Sequence, residues 1–166
     1  MDLAKKYHTD KAFFYAPYYD ELLSPRRNDI KLVLEVGIGS LESMKDSISR
    51  AGWTTYQPGA SLAMWREYFP LATIHGLDTD IDTLFVATRI RTHWGDSRIW
   101  TSGLRFDLII DDGNHSVEAQ LETRKNLLPL LAPGGIYITE DITGDWPYKT
   151  VSFQNEYGNA TISVYP

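Results

Sequence analysis

"FDLIIDDGNHS", Phe106 to Ser116, decides how this chain is read. Apolar residues Leu108 to Ile110 run into two adjacent aspartates, then a Gly113-Asn114 turn, then His115. The run is continuous rather than alternating, the pattern of a strand buried on both faces. A second stretch, "GIYITEDI" (135–142), repeats the arrangement and ends in Glu140 and Asp141. Working outward, "KLVLEVGIG" (31–39), "ATIHGLDTD" (72–80) and "IRTHWGD" (90–96) read as three more strands of this kind. Helical patterns fall between them. "SLAMWREYF" sets Leu62, Trp65 and Phe69 on one face behind Ser61 as N-cap, and "SVEAQLETRKNLLPLL" runs from Ser116 as N-cap to a stop at "APGG". Alternating strands and helices predict an α/β fold with a single doubly wound, mostly parallel sheet.

The rest of the chain fits one domain over residues 1–166. Residues 1–28 read as a helical N-terminal arm, 41–58 as a long insertion after the first strand, and 150–166 as an antiparallel hairpin turning near Gly158-Asn159. A net charge of −6, with no Lys/Arg cluster, speaks against nucleic acid. Cysteine is absent, which excludes a thiolate metal site. No apolar run reaches the ~18 residues a membrane span needs. The opening "MDLAKKYHTDK" lacks the apolar core of a signal peptide, so a soluble cytoplasmic protein is expected.

Ligands of open parallel sheets gather at the carboxyl ends of the strands. Gly37, Gly39, Asp78, Asp96, Asp111, Asp112, Glu140 and Asp141 are therefore expected along one rim. "EVGIGS" is a strand-to-turn glycine pair without the third glycine of a dinucleotide fingerprint. Asp78, closing the second strand, has the position of an acid that accepts ribose hydroxyls, and Asp96 that of a residue near an adenine edge. Taken in order, these read as an adenosine site better suited to S-adenosylmethionine (SAM) than to NAD. Side chains alternate along a strand, so Asp111 and Asp112 should point apart, with Asp111 facing the SAM side or bonding to backbone.

The set "LEVGIGS…GASLAMWREYFP…IHGLDTD…FDLIIDDGNHS…LLAPGGIYITED" resembles class I SAM-dependent methyltransferases. More narrowly, it is similar to the metal-dependent sugar O-methyltransferases that act on macrolides and other glycosides. "YHTDKAFFYAPYYDELL" is similar to that family's Tyr-Gly-Thr-Asp-Lys opening and tyrosine-rich helix. The resemblance covers residues 7–142 and implies a Rossmann-like methyltransferase fold. It implies that Glu35, Gly37 and Gly39 hold the methionine end of SAM, with Ser61 nearby, Asp78 at the ribose and Asp96 on the adenine side. It further implies that Asp112, Glu140 and Asp141 ligate Mg²⁺ and that His115 is the general base.

Elementary chemistry agrees with this assignment. Carboxylates crowded at neighbouring strand ends repel one another, and a hard dication removes the conflict. A sugar hydroxyl near that cation is acidified, and a neutral histidine can take its proton.

The sequence after "ED" is shorter than in the family, and only "ITGDWPYK" precedes the hairpin. A shallow site of this kind suits a small-molecule glycoside or glycan acceptor, or is completed in a homo-oligomer. The 41–58 insertion, with Trp53 and Tyr56, is expected to form a mobile lid over SAM and acceptor. Tyr15 or Tyr18 is expected to cover the cofactor or stack on a sugar, whereas His8, His75 and His93 read as structural. A metal-independent O-methyltransferase and a non-catalytic SAM-binding module are the alternatives.

Overall fold

The computed structural model describes residues 3–155 and 157–166. The strands are β1 (Leu32–Val36), β2 (Thr73–Asp78), β3 (Val86–Ala87), β4 (Ile90–Trp94), β5 (Phe106–Asp111), β6 (Leu131–Thr139), β7 (Val151–Asn155) and β8 (Gly158–Tyr165). They form one sheet in the order β3-β4-β2-β1-β5-β6-β8-β7. The five central strands, β4 to β6 in that order, are parallel, and β3, β8 and β7 join antiparallel at the two edges. From β1 the chain first steps outward to β2 and β4, then returns to β5 on the other side. The reversal opens a crevice at the carboxyl ends of β1 and β5, where doubly wound sheets bind ligands.

Helices cover both faces. On one lie α1 (Leu3–Lys6), α2 (Ala16–Leu23) and α4 (Ala60–Tyr68), packed on Val33, Ile74, Leu108, Ile110 and Ile138. On the other lies α5 (Val117–Leu127), whose Leu127 packs with Leu34, Leu77, Ile109 and Tyr137. Leu62, Trp65 and Phe69 of the α4 segment are fully buried. At roughly 2 kcal/mol per large apolar side chain, that stripe fixes α4 against the sheet. Ser116 caps α5 by accepting from the Ala119 amide.

Four local expectations change. The N-cap of α4 is Gly59, in a left-handed conformation, and Ser61 lies inside the helix with its hydroxyl turned to the sheet. "APGG" is not a terminator. A short 3-10 turn, Leu128–Leu130, ends the helical run, and β6 already begins at Leu131, with its pairing to β5 shifting register before Ile136. Gly158 and Asn159 pair with Asn155 and Gln154 within β8, so the hairpin turns ahead of them. The 41–58 insertion carries a helix of its own, α3 (Lys45–Ala51), left-handed at its Gly52 cap. It docks on the N-terminal arm, where Trp53 stacks between His8 and Phe13 and the Ser47 hydroxyl reaches Asp10. Among the described residues, no helix is long and apolar enough to cross a membrane.

Candidate active site

A cavity of about 680 Å³ occupies the crevice at the strand ends. Its floor is the Gly37–Ser40 turn after β1. Asp78 and Asp96 stand at one side, and Asp112, His115 and Asp141 at another. Thr9 and Asp10 of the arm, with Met44, Ser47 and Tyr56 of the insertion, close the remaining wall. Gly37 has φ +86°, and a Cβ there would lie 2.1 Å from the carbonyl oxygen of Asp112. Glycine is thus required because two strand ends touch, quite apart from any ligand. Gly39, φ +82°, faces the phenol of Tyr56, which donates to its carbonyl at 3.1 Å.

Asp78 accepts the amides of Ile38 at 2.7 Å and Asp80 at 2.9 Å, tying the end of β2 to the glycine turn. A carboxylate offers about four acceptor positions, so capacity for hydroxyl donors is left. Asp96 is held by Arg98, whose guanidinium donates to both of its oxygens and keeps its carboxyl below the usual range.

Behind the cavity lies a sealed charge cluster around Lys11. Its ammonium is 1% exposed and lies 2.8 Å from Asp112 Oδ2, 3.0 Å from Glu140 Oε2 and 3.1 Å from Glu35 Oε1. Tyr19 also donates to Glu140, and Ser61 to Glu35 at 2.8 Å. Burial pushes the carboxyls of Glu140 and Glu35 upward despite Lys11. Burial also opposes charge on Asp112, yet Lys11 and His115 together hold it below the ordinary carboxylate value. Lys11 itself is pushed well above the usual lysine value, because the three carboxylates outweigh its desolvation.

In front, one atom each from Asp112, His115 and Asp141 fall within 4.8 Å of one another. His115 Nε2 is 3.4 Å from Asp112 Oδ1 and 3.8 Å from Asp141 Oδ2. The Asp112 contact raises the imidazole above the ordinary histidine value, against burial. Asp141 follows β6 in a left-handed conformation, φ 50°, unusual for a residue with a side chain. Tyr15 pins it there: its phenol donates to the Asp141 carboxylate and accepts the Asp141 amide at 3.2 Å. Two carboxylates converging on one open point are oxygen donors that a hard dication fits, with an imidazole beside them.

Alternation along β5 separates the two aspartates as expected, but Asp111 does not line the cavity. It is 1% exposed on the α5 face of the sheet, where Tyr137 approaches it at 3.5 Å and burial pushes its carboxyl up to about 7. Glu35 likewise sits behind the glycine turn, spent on Lys11 and Ser61, so it supports the turn rather than facing the cavity. Ser61 does line the cavity. Glu140 is turned to Lys11 and Tyr19, and the open point is formed by Asp112 and Asp141 with His115. Tyr15 is committed to Asp141, and Tyr18 packs on Phe153, so neither lies over the cavity. His75 and His93 stack on each other on β2 and β4, away from the cavity.

Sequence reading missed Lys11, Asp10 and the anchoring role of Tyr15. A signal for Lys11 existed: so many inward carboxylates need a countercharge, and "HTDKAFFY" carries a lysine within an aromatic, core-like stretch.

Known proteins resemble this chain in sequence and in fold. Residues 45–142 match the model of the methyltransferase domain family. The mycinamicin VI 2''-O-methyltransferase of Micromonospora griseorubida is 35% identical over 158 residues, covering 88% of this chain and 37% of the relative. The demethylmacrocin O-methyltransferase of Streptomyces fradiae is 32% identical over 157 residues, with coverages of 88% and 37%. The solved MycE methyltransferase of the mycinamycin pathway, in complex with Mg, SAH and mycinamycin VI, superposes with a TM-score of 0.67 at 30% identity. That match covers 84% of this chain and 38% of MycE, so the chain spans well under half the length of these three relatives. By fold, site and sequence, the chain belongs to the methyltransferase-domain family.

Proposed function

We propose that residues 1–166 form one domain that transfers a methyl group from SAM to a hydroxyl of a sugar or glycoside, with the help of a divalent cation, Mg²⁺ in the first instance. The observation that carries this reading is the convergence of Asp112, His115 and Asp141 on one open point of the cavity. The relatives named for macrolide O-methylation, and the MycE complex with Mg and SAH, support it.

Asp112 and Asp141 would hold the cation, and Lys11 fixes Asp112 from behind. For Glu140 to join them, its carboxylate has to leave Lys11 or Tyr19. The Gly37–Gly39 turn, Ser61 and Asp78 would hold SAM, with Asp96 on the adenine side. A cation bound there supplies positive charge that acidifies the acceptor hydroxyl. His115 takes the hydroxyl proton on Nε2, the nitrogen that faces the carboxylates. Its contact with Asp112 orients the imidazole and, with no cation on that carboxylate, raises it above the ordinary histidine value. The walls of the cavity hold oxygen and methyl close and in line, the main contribution a protein makes to such a displacement. The 41–58 segment, anchored through Trp53, Ser47 and Tyr56, serves as the lid.

The test is methyl transfer from SAM to a panel of macrolide glycosides and simple sugars, with and without EDTA. Transfer lost in EDTA and restored by Mg²⁺ is expected. Transfer that persists unchanged in EDTA removes the cation and leaves the metal-independent reading.

A further inference from the structure

Asp10 stands on the cavity wall near the acids Asp112 and Asp141, with no side-chain ion pair of its own among the described residues. The adjacent Lys11 turns the other way, into the Asp112–Glu140–Glu35 cluster. Among the described residues, the one side-chain hydrogen bond to the Asp10 carboxylate is the Ser47 hydroxyl at 3.4 Å. The single arginine of the cavity wall, Arg98, is at the adenine end and already bound to Asp96. Burying Lys11 fixes the 3-10 turn Asp10–Ala12, so the acid is presented by rigid backbone rather than by a loose arm. The same cavity is lined by groups of a different kind: the hydroxyls of Ser40, Ser43 and Ser47 and the glycine turn. An acid without an ion pair of its own, with hydroxyl donors on the same cavity wall, matches a zwitterion, with the acid for its ammonium and the donors for its carboxylate.

Asp10 is near Asp112 and Asp141, which follow β5 and β6, whereas Asp78 ends β2 and Asp96 follows β4, on the other side of β1, and these two take the adenosine in the function proposed above, on which the following step rests. Once adenosine is placed at Asp78, the part of SAM left to place is its amino-acid end. We propose that Asp10 binds the α-ammonium of SAM and so sets the position of the sulfonium relative to His115 and Asp112. Asp10 is a binding residue and is separate from the groups assigned to the cation.

Two ligands separate this contact from the rest of the site. S-adenosylhomocysteine keeps the ammonium, whereas 5′-methylthioadenosine has the adenosine and thioether but no amino-acid end. Each is titrated by calorimetry, in Mg²⁺, into the wild-type protein and the Asp10→Asn variant. A hydrogen bond to a charged group is commonly worth about tenfold or more in affinity, so the variant should lose about tenfold to a hundredfold for S-adenosylhomocysteine. Its affinity for 5′-methylthioadenosine should stay within about threefold of wild type. The ratio of the two affinities is measured on one protein, so it is insensitive to a partly inactive preparation. An unchanged ratio overturns the assignment of Asp10 and leaves the cofactor reading standing. A wild-type protein that binds neither ligand overturns the cofactor reading and the assignment with it.

Discussion

The two oxygens of Asp112 face two different regions. Oδ2 looks back at Lys11, into a cluster sealed from water, while Oδ1 looks forward at His115, across an open cavity. Both regions gather acids from several strand ends. Behind, the chain supplies its own cation, and Lys11, Tyr19 and Ser61 satisfy Glu140 and Glu35. In front, Asp112 Oδ1 and Asp141 Oδ2 are both approached by one imidazole, half-exposed. The difference separates structure from chemistry. Acids neutralised from within hold the strands in place, and Asp112 Oδ1 and Asp141 face the open cavity.

The sharpest way to break this division is Lys11→Met. Three buried carboxylates then lose their common partner, and breaking a buried ion network typically costs about 3–5 kcal/mol. Urea unfolding should show a loss of that order, and a loss below about 1 kcal/mol would mean the rear cluster is not held by its own cation. His115→Ala probes the front. Its side chain is 44% exposed, so stability should stay within about 0.5 kcal/mol of wild type. Methyl transfer should fall by about 10²–10⁴-fold, the usual contribution of a general base. Equal losses of stability and activity in both variants would erase the distinction between the regions.

A smaller effect comes from a third site, remote from both. Burial lowers His75 to about 4, and His93 beside it adds to the shift. The folded state therefore binds fewer protons than the unfolded chain between about pH 4 and 6.5, so stability is full above 6.5 and drains as pH falls through that window. We expect a loss on the order of 1–2 kcal/mol, less than the full shift because solvent screens the pair. His75→Gln should remove most of it, as read by urea unfolding at pH 7 and pH 4.5. If the loss persists in the variant, acid sensitivity belongs to the carboxylates instead.

Much of this architecture is legible in the residues. Nearly continuous apolar runs ending in glycines or acids located most of the five parallel strands, because burial on both faces leaves few other compositions, whereas β4 is only partly buried. The same runs set Asp78, Asp96, Asp112 and Asp141 on one rim. Local geometry was harder to read. Val86–Ala87 is too short a strand to show a period, and "APGG" scans as a stop although it enters β6 as an irregularity. Ser61 has the composition of a cap, but a left-handed Gly59 starts the helix two residues earlier and frees the hydroxyl for Glu35. Contacts distant in sequence were not legible at all. Lys11 meets Asp112 and Glu140 across 101 and 129 residues, and no periodicity reports such a meeting.

The contact of Gly37 with the Asp112 carbonyl bears on redesign. The turn after β1 and the end of β5 share one patch of backbone, so neither can be exchanged for a relative's version alone. A chimera has to carry both segments from the same parent, or the mismatch will appear first as displacement of Asp112.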